Sequence, residues 1–113
     1  MRIYSLGLIV VVALWLFAKA EAEPSYVRPA AQLYRRYCIS CHGTDGKAKT
    51  SKGKYSHARD LTDQDWQADV SDERIFNSIT NGRNVRGNMP PFGHKLKEDE
   101  INSLVTFVRA LKG

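Results

Sequence analysis

Five consecutive residues, Cys38-Ile39-Ser40-Cys41-His42, constrain this chain more than any other feature. Cys38 and Cys41 are its two cysteines, and a histidine follows the second. In an exported protein two cysteines usually form a structural disulfide, but a two-residue gap suits a redox dithiol, a metal knuckle or a haem attachment site better. A thioredoxin-like dithiol needs a strand–helix setting, and no stretch here alternates apolar and polar residues. A zinc site needs a fourth ligand, for which His57 or His94 is available. A plain disulfide leaves His42 without a role. Covalent haem attachment uses all three side chains. Thiols one helical turn apart reach the two vinyl groups of one porphyrin, and the adjacent neutral imidazole is placed to ligate the iron. One covalent haem c, with its iron, is therefore expected at Cys38, Cys41 and His42.

Residues 1–22 read as an export signal. Arg2 gives a positive start, Leu6 to Ala18 is apolar or small, and Ala-Lys-Ala and Ala-Glu-Ala follow at the spacing a signal peptidase reads. Extended back to Tyr4, the apolar run covers 15 residues, short of the roughly 20 a spanning helix needs. A retained anchor is the alternative, which Trp15 and Phe17 near the cleavage site leave open. The expectation is a periplasmic domain over residues 23–113, membrane-attached only if the N-terminal segment stays. A domain so small buries a modest core, to which a large apolar cofactor would add.

Charge is unevenly spread. Arg28 to Arg59 holds eight basic residues against Asp45 alone, and Asp60 to Glu73 holds six acids and no base. A basic face of this kind steers a protein toward acidic patches on redox partners. Nucleic acid is excluded as a partner, because no docking motif is present and few aromatics interleave the basic residues. A monomer is expected.

The spacing predicts three or four helices, two long loops and no sheet. A first helix is expected from about Pro29 to Cys41, with Ala30, Leu33, Tyr34 and Tyr37 on its apolar face. The polar stretch from Gly43 to Leu61 shows no period and reads as a loop. Thr62 to Asp65 resembles a capping box for one short turn before Trp66. Ser71, followed by Asp72 and Glu73, starts a better helix that buries Ile75, Phe76 and Ile79 and ends at Asn81-Gly82. Gly82 to Leu96 is again a loop, with three glycines and two prolines. Ile101, Leu104, Val105, Val108 and Leu111 form the stripe of a last helix from about Glu98 to Leu111.

Beyond the expected export segment, Met89 is the one methionine. A lone methionine often fills core space. Here Pro90 and Pro91 hold it on an extended, stiff backbone. A thioether held in that way can serve as a second axial ligand, and Met with His raises a haem's reduction potential. His57 and His94 are the alternatives. Arg59, Trp66, Arg83 and Arg86 are candidate partners for the two haem propionates, Trp66 through its indole N–H.

CISCHG, the MPPF loop and the closing helix resemble class I c-type cytochromes, especially short bacterial mono-haem ones, over nearly all of residues 23–113. The resemblance implies an all-α, cytochrome c-like fold in which the N- and C-terminal helices cross. It sets Ala30 and Tyr34 against Leu104 and Phe107. Ala30 stands where glycine is usual. No proline lies between Pro29 and Pro90 to hold the proximal histidine, which leaves the acceptor for the His42 ring N–H open. Lys97 replaces the usual Ser or Thr cap of the last helix. The implied function is single-electron transfer, without enzymatic activity. A peroxidase or gas sensor with Met89 off the iron is the alternative.

Overall fold

The computed structural model describes Ala22 and residues 24–113. The expected export segment therefore lies outside the described residues, Ala22 excepted. Among the described residues six helices follow in order: α1 Ala30–Tyr37, α2 Ile39–His42, α3 Ser51–Tyr55, α4 Gln64–Asp69, α5 Asp72–Asn81 and α6 Glu98–Ala110. Among the described residues there is no strand, and the one ladder-like contact is an antiparallel bridge between Arg83 and Met89. None of these helices is long and apolar enough to cross a membrane.

The crossing of first and last helices is as expected. Leu33 and Tyr34 of α1 and Leu104 of α6 are each exposed by 2% or less, and the Tyr34 and Phe107 rings lie 4.8 Å apart and tilted. Ile75 and Ile79 bring α5 into the same core, with Ile101, Val105 and Val108 on the α6 side. Burying side chains of this kind stabilises a fold by about 1.5–3 kcal/mol each, before entropy opposes it.

Several local expectations are corrected. Pro29 is the N-cap of α1 (φ −60, ψ 140), not its first helical residue. The expected continuous helix to Cys41 is broken at Cys38, whose φ of −115 lies off the helical value. Hydrogen bonding nevertheless carries across the break, since Cys38 N donates to Tyr34 O and His42 N to Cys38 O, both at 2.9 Å. The supposed loop after His42 contains α3. Thr50 caps it, accepting from Gly53 N at 2.9 Å, while its hydroxyl donates to Ser40 O at 2.7 Å. A Cβ on Gly53 would lie 2.1 Å from Cys41 O, so a glycine is what lets α3 pack on α2. Asp63, rather than Thr62, caps α4 and accepts from Trp66 N at 2.7 Å, which places Trp66 inside the helix. Ser71 caps α5 as expected.

The missing Ser/Thr cap of α6 is replaced from inside the helix. Glu100 Oε2 accepts from Lys97 N at 2.9 Å. Lys97, which has no side-chain acceptor to return the bond, donates instead to Ser25 Oγ and Tyr26 O. Glu100 is 1% exposed and is held by the Arg28 guanidinium at 2.8 and 2.9 Å. That hydrogen-bonded cation draws the Glu100 carboxyl down to about 2, against the opposing effect of desolvation. A second knot joins α4 to α6. Buried Gln67 donates to Leu61 O and Val108 O, and Arg109 donates to Gln67 O, Gln67 Oε1, Val70 O and Asp72.

Candidate functional site

A cavity of about 460 Å3 opens between α2, α4, α5, α6 and the 83–89 segment. Its apolar lining comes from Tyr34, Leu61, Trp66, Val70, Ile75, Ile79, Leu104 and Val108. Cys38, His42 and Met89 line it as well, together with Arg59, Arg74, Arg83 and Arg86. Of the residues singled out from sequence, Cys38, His42, Met89, Arg59, Trp66 and Arg83 therefore converge on one space. Cys41 does not line the cavity, although it belongs to the same short helix as His42. Its Sγ lies 3.6 Å from Ser56 Oγ. His57 and His94 do not line it, and both are exposed. Among the described residues no three His, Cys, Asp or Glu side chains gather in a metal-binding group, so the zinc alternative lacks its ligand set.

The His42 ring is fixed by its surroundings. Nδ1 lies 2.9 Å from Arg59 O. A carbonyl only accepts, so Nδ1 carries the proton and Nε2 keeps its lone pair for a metal. Burial lowers the imidazole pKa, the Arg59 carbonyl acting the other way. The ring is thus kept neutral, as ligation requires. This settles where the ring N–H points in a chain that lacks the proline seen in similar proteins. The acceptor is a backbone carbonyl, which every residue possesses, so no sequence signal singles out position 59.

Met89 is positioned by its backbone. Its N–H donates to Arg83 O at 2.8 Å and its carbonyl accepts from Arg83 N at 3.0 Å. Just beyond Pro90 and Pro91, Phe92 N and Gly93 N donate to Ile79 O and Thr80 O at the end of α5. Both chain directions from Met89 are therefore tied to α5 and the turn that follows it.

The cysteines are unpaired and half-buried. Burial, with a smaller contribution from neighbouring Cys41, pushes the Cys38 thiol up to about 11. Tyr34 is raised to about 12, chiefly by burial, and its hydroxyl donates to Gly43 O at 2.7 Å. That bond closes the end of the attachment turn against α1. Missed from sequence were Arg74 on the rim, Ser56 beside Cys41, and the Gln67–Arg109 knot behind Trp66 and Val70.

The donor set fits a haem. The Cys38 thiol, an oriented imidazole and a thioether line an apolar space whose edge carries four arginines against Asp69, a balance suited to two carboxylates, and the second thiol lies one turn along on the helix of His42.

Comparison with known proteins gives the same direction. Residues 26–108 match the family described as cytochrome c oxidase, cbb3-type, subunit III. The chain is 31% identical over 98 residues to the cbb3-type cytochrome c oxidase subunit FixP of Azorhizobium caulinodans, covering 87% of this chain and 31% of that protein. It thus spans about a third of the length of that relative. It is also 31% identical to cytochrome c6 of Gloeothece citriformis over 92% of this chain and 93% of the relative. The solved structure of the KustC0563 c-type cytochrome superposes with a TM-score of 0.68 at 37% identity, over 76% of this chain and all of that one.

Proposed function

The chain belongs to the family described as cytochrome c oxidase, cbb3-type, subunit III, a class I c-type cytochrome domain that carries covalently bound haem c, and from that premise we propose that it passes single electrons between protein partners in the periplasm with His42 and Met89 as axial ligands. Cys38 and Cys41 form the two thioether links. When bound, the haem supplies one-electron exchange between ferrous and ferric iron.

The protein's own part is to hold and shield. Arg59 O fixes the tautomer and plane of His42 and raises its basicity as a ligand. The Arg83–Met89 bridge delivers a soft thioether with little remaining freedom. Leu61, Trp66, Val70, Leu104 and Val108 give the cavity an apolar wall, which disfavours water and lowers the local dielectric. Arg59 and Arg83 receive the propionate charges, and the Trp66 indole N–H can donate to one of them. With both His42 and Met89 as ligands the iron would keep no open position for a substrate, and the fixed ring and bridged Met89 backbone would change little on one-electron exchange.

The observation that carries this reading is the joint presence of the oriented His42 ring and Met89 in one cavity. FixP, by its name, is a subunit of an oxidase, whereas cytochrome c6 matches this chain nearly end to end. The acid-poor surface around the 83–86 turn supports a carrier that meets its partners transiently. The test is the visible spectrum of the exported protein. Covalent haem that resists acid–acetone extraction, with the weak far-red band of a methionine–ferric iron bond, is expected. A covalent haem without that band, with ready peroxide turnover, would instead favour a peroxidase or gas sensor with an exchangeable ligand.

A further inference from the structure

Helix α4 has six residues, far below the length at which a helix is stable by itself. Its own sequence works against its C-terminus. The last turn carries no basic residue, and Asp69 places an acid at the negative end of the helix dipole. Yet Leu61, Trp66 and Val70, in and beside this helix, form one wall of the cavity. What fixes that wall comes from α6. Arg109 donates through Nη1 to Gln67 O at 2.6 Å and through Nη2 to Val70 O. A cation from another helix thus supplies the C-terminal cap that α4 lacks. Gln67, 6% exposed, completes the arrangement. Its Nε2 donates to Leu61 O at 2.8 Å and to Val108 O at 2.9 Å, and its Oε1 accepts from Arg109 Nη1 at 3.1 Å. Both amide hydrogens and the amide oxygen are engaged. Gln67 and Arg109 do not line the cavity themselves. At the outer end of the knot Asp72, whose side chain is 72% exposed, accepts from Arg109 Nε at 2.7 Å.

We propose that Gln67 and Arg109 are positioning residues for the haem: by pinning the Leu61, Gln67 and Val70 carbonyls to α6, they set how closely the Leu61–Trp66–Val70 wall closes over the cofactor, and with it the cofactor's contact with water and its reduction potential. The inference rests on the covalent haem and the electron-carrier reading above, and deepens that reading. The apolar shell of a metal site controls solvent access and dielectric, and through them the potential. Ferric iron carries one more positive charge than ferrous iron, so water admitted at this wall favours the ferric state and lowers the potential. Removing either side chain leaves carbonyls of the wall unpaired, and the wall meets that loss by moving toward water. The Arg109–Asp72 pair matters less, because an exposed ion pair contributes little.

The holoprotein and its variants are compared by redox titration, by denaturant unfolding and by Trp66 emission, which a nearby haem quenches. A Trp66→Phe protein is the emission blank. Gln67→Leu is close in volume, and Arg109→Lys keeps the charge but loses the planar fork. Each should raise the emission about twofold or more and, at a fixed poise, shift the ferrous/ferric ratio toward ferric by roughly threefold. Covalent haem and the methionine band should persist in both. Asp72→Asn should leave emission and potential as in the wild type. Glu100→Gln, at the opposite end of α6, should lower the unfolding midpoint and move neither. Should Gln67→Leu fail to accumulate, Arg109→Lys decides the matter. A knot whose loss lowers the midpoint while emission and potential keep their wild-type values is only a stabilising contact, and that result would overturn the proposal. So would shifts of equal size in Glu100→Gln. A wild-type protein with no haem spectrum would sink the electron-carrier reading itself, a result distinct from either of these.

Discussion

The two sides of the cavity are built in different ways. The His42 side is local. Cys38, Cys41 and His42 fall within five residues, on a turn that continues α1 and is closed by Tyr34 at Gly43 and by Thr50 at Ser40. The Met89 side has no helix. Its position depends on backbone bonds to Arg83, Ile79 and Thr80 and, through Asn88, to Ser56. A ligand on a helical turn is held by bonds that form cooperatively with that turn. A ligand on a loop is held by contacts that must close over longer chain segments, and such segments open more readily. The attachment side should therefore fail all at once, and the methionine side by degrees.

The largest expected effect is on the local side. His42→Ala should prevent accumulation of correctly ligated holoprotein, and Cys38→Ser should leave at most one thioether link; haem staining of denatured gels and mass spectrometry check both. Next, Met89→Ala should keep covalent haem, lose the far-red band, and lower the reduction potential by on the order of 0.1 V, within the roughly 0.8 V over which axial ligands act. Redox titration reads this, and an unchanged potential would remove Met89 from the iron.

The glycines sharpen the contrast. Gly53→Ala drives a Cβ against Cys41 O and should destabilise the whole holoprotein by about 1–3 kcal/mol, the usual cost of overpacking, measured by denaturant unfolding. Gly87→Ala forces the 83–88 segment from Ser56. It should weaken the methionine band with a smaller change in the unfolding midpoint. Equal effects of the two on both observables would erase the distinction between the sides.

The smallest effect concerns neither side. Glu100 has a folded pKa of about 2, below its ordinary 4.5, because Arg28 binds the carboxylate. A depressed carboxyl stabilises the fold above the unfolded pKa and loses that contribution as pH falls through the folded one. Thermal midpoints should thus decline between about pH 4.5 and about pH 2, and less steeply in Glu100→Gln, which starts from lower stability at neutral pH.

How much was legible from sequence follows the range of the interactions. The α5 boundaries were readable because Ser71 and Gly82 are local signals of capping and termination. The α6 stripe was readable from its period. Helix α3 was hidden, since five residues with Tyr55 as the one large apolar side chain carry no periodicity and their helix depends on Thr50 and on the groove that Gly53 opens. By position alone Glu100 is one of three acids in the first turn of α6, where a carboxylate favours the helix dipole. Its burial and its pairing with Arg28, 72 residues away, come from packing of the N-terminal segment on α6.

By itself the sequence determined the attachment motif, the candidate donors and the helical class, because each depends on residues that are neighbours along the chain. Only the tertiary structure decided that Arg59 O orients the His42 ring, that Met89 reaches the same cavity, and that Asn88 N ties the methionine loop to Ser56 O. Those outcomes depend on backbone groups common to all residues. Their partners are chosen by how the helices pack and not by any side chain that a motif could reveal.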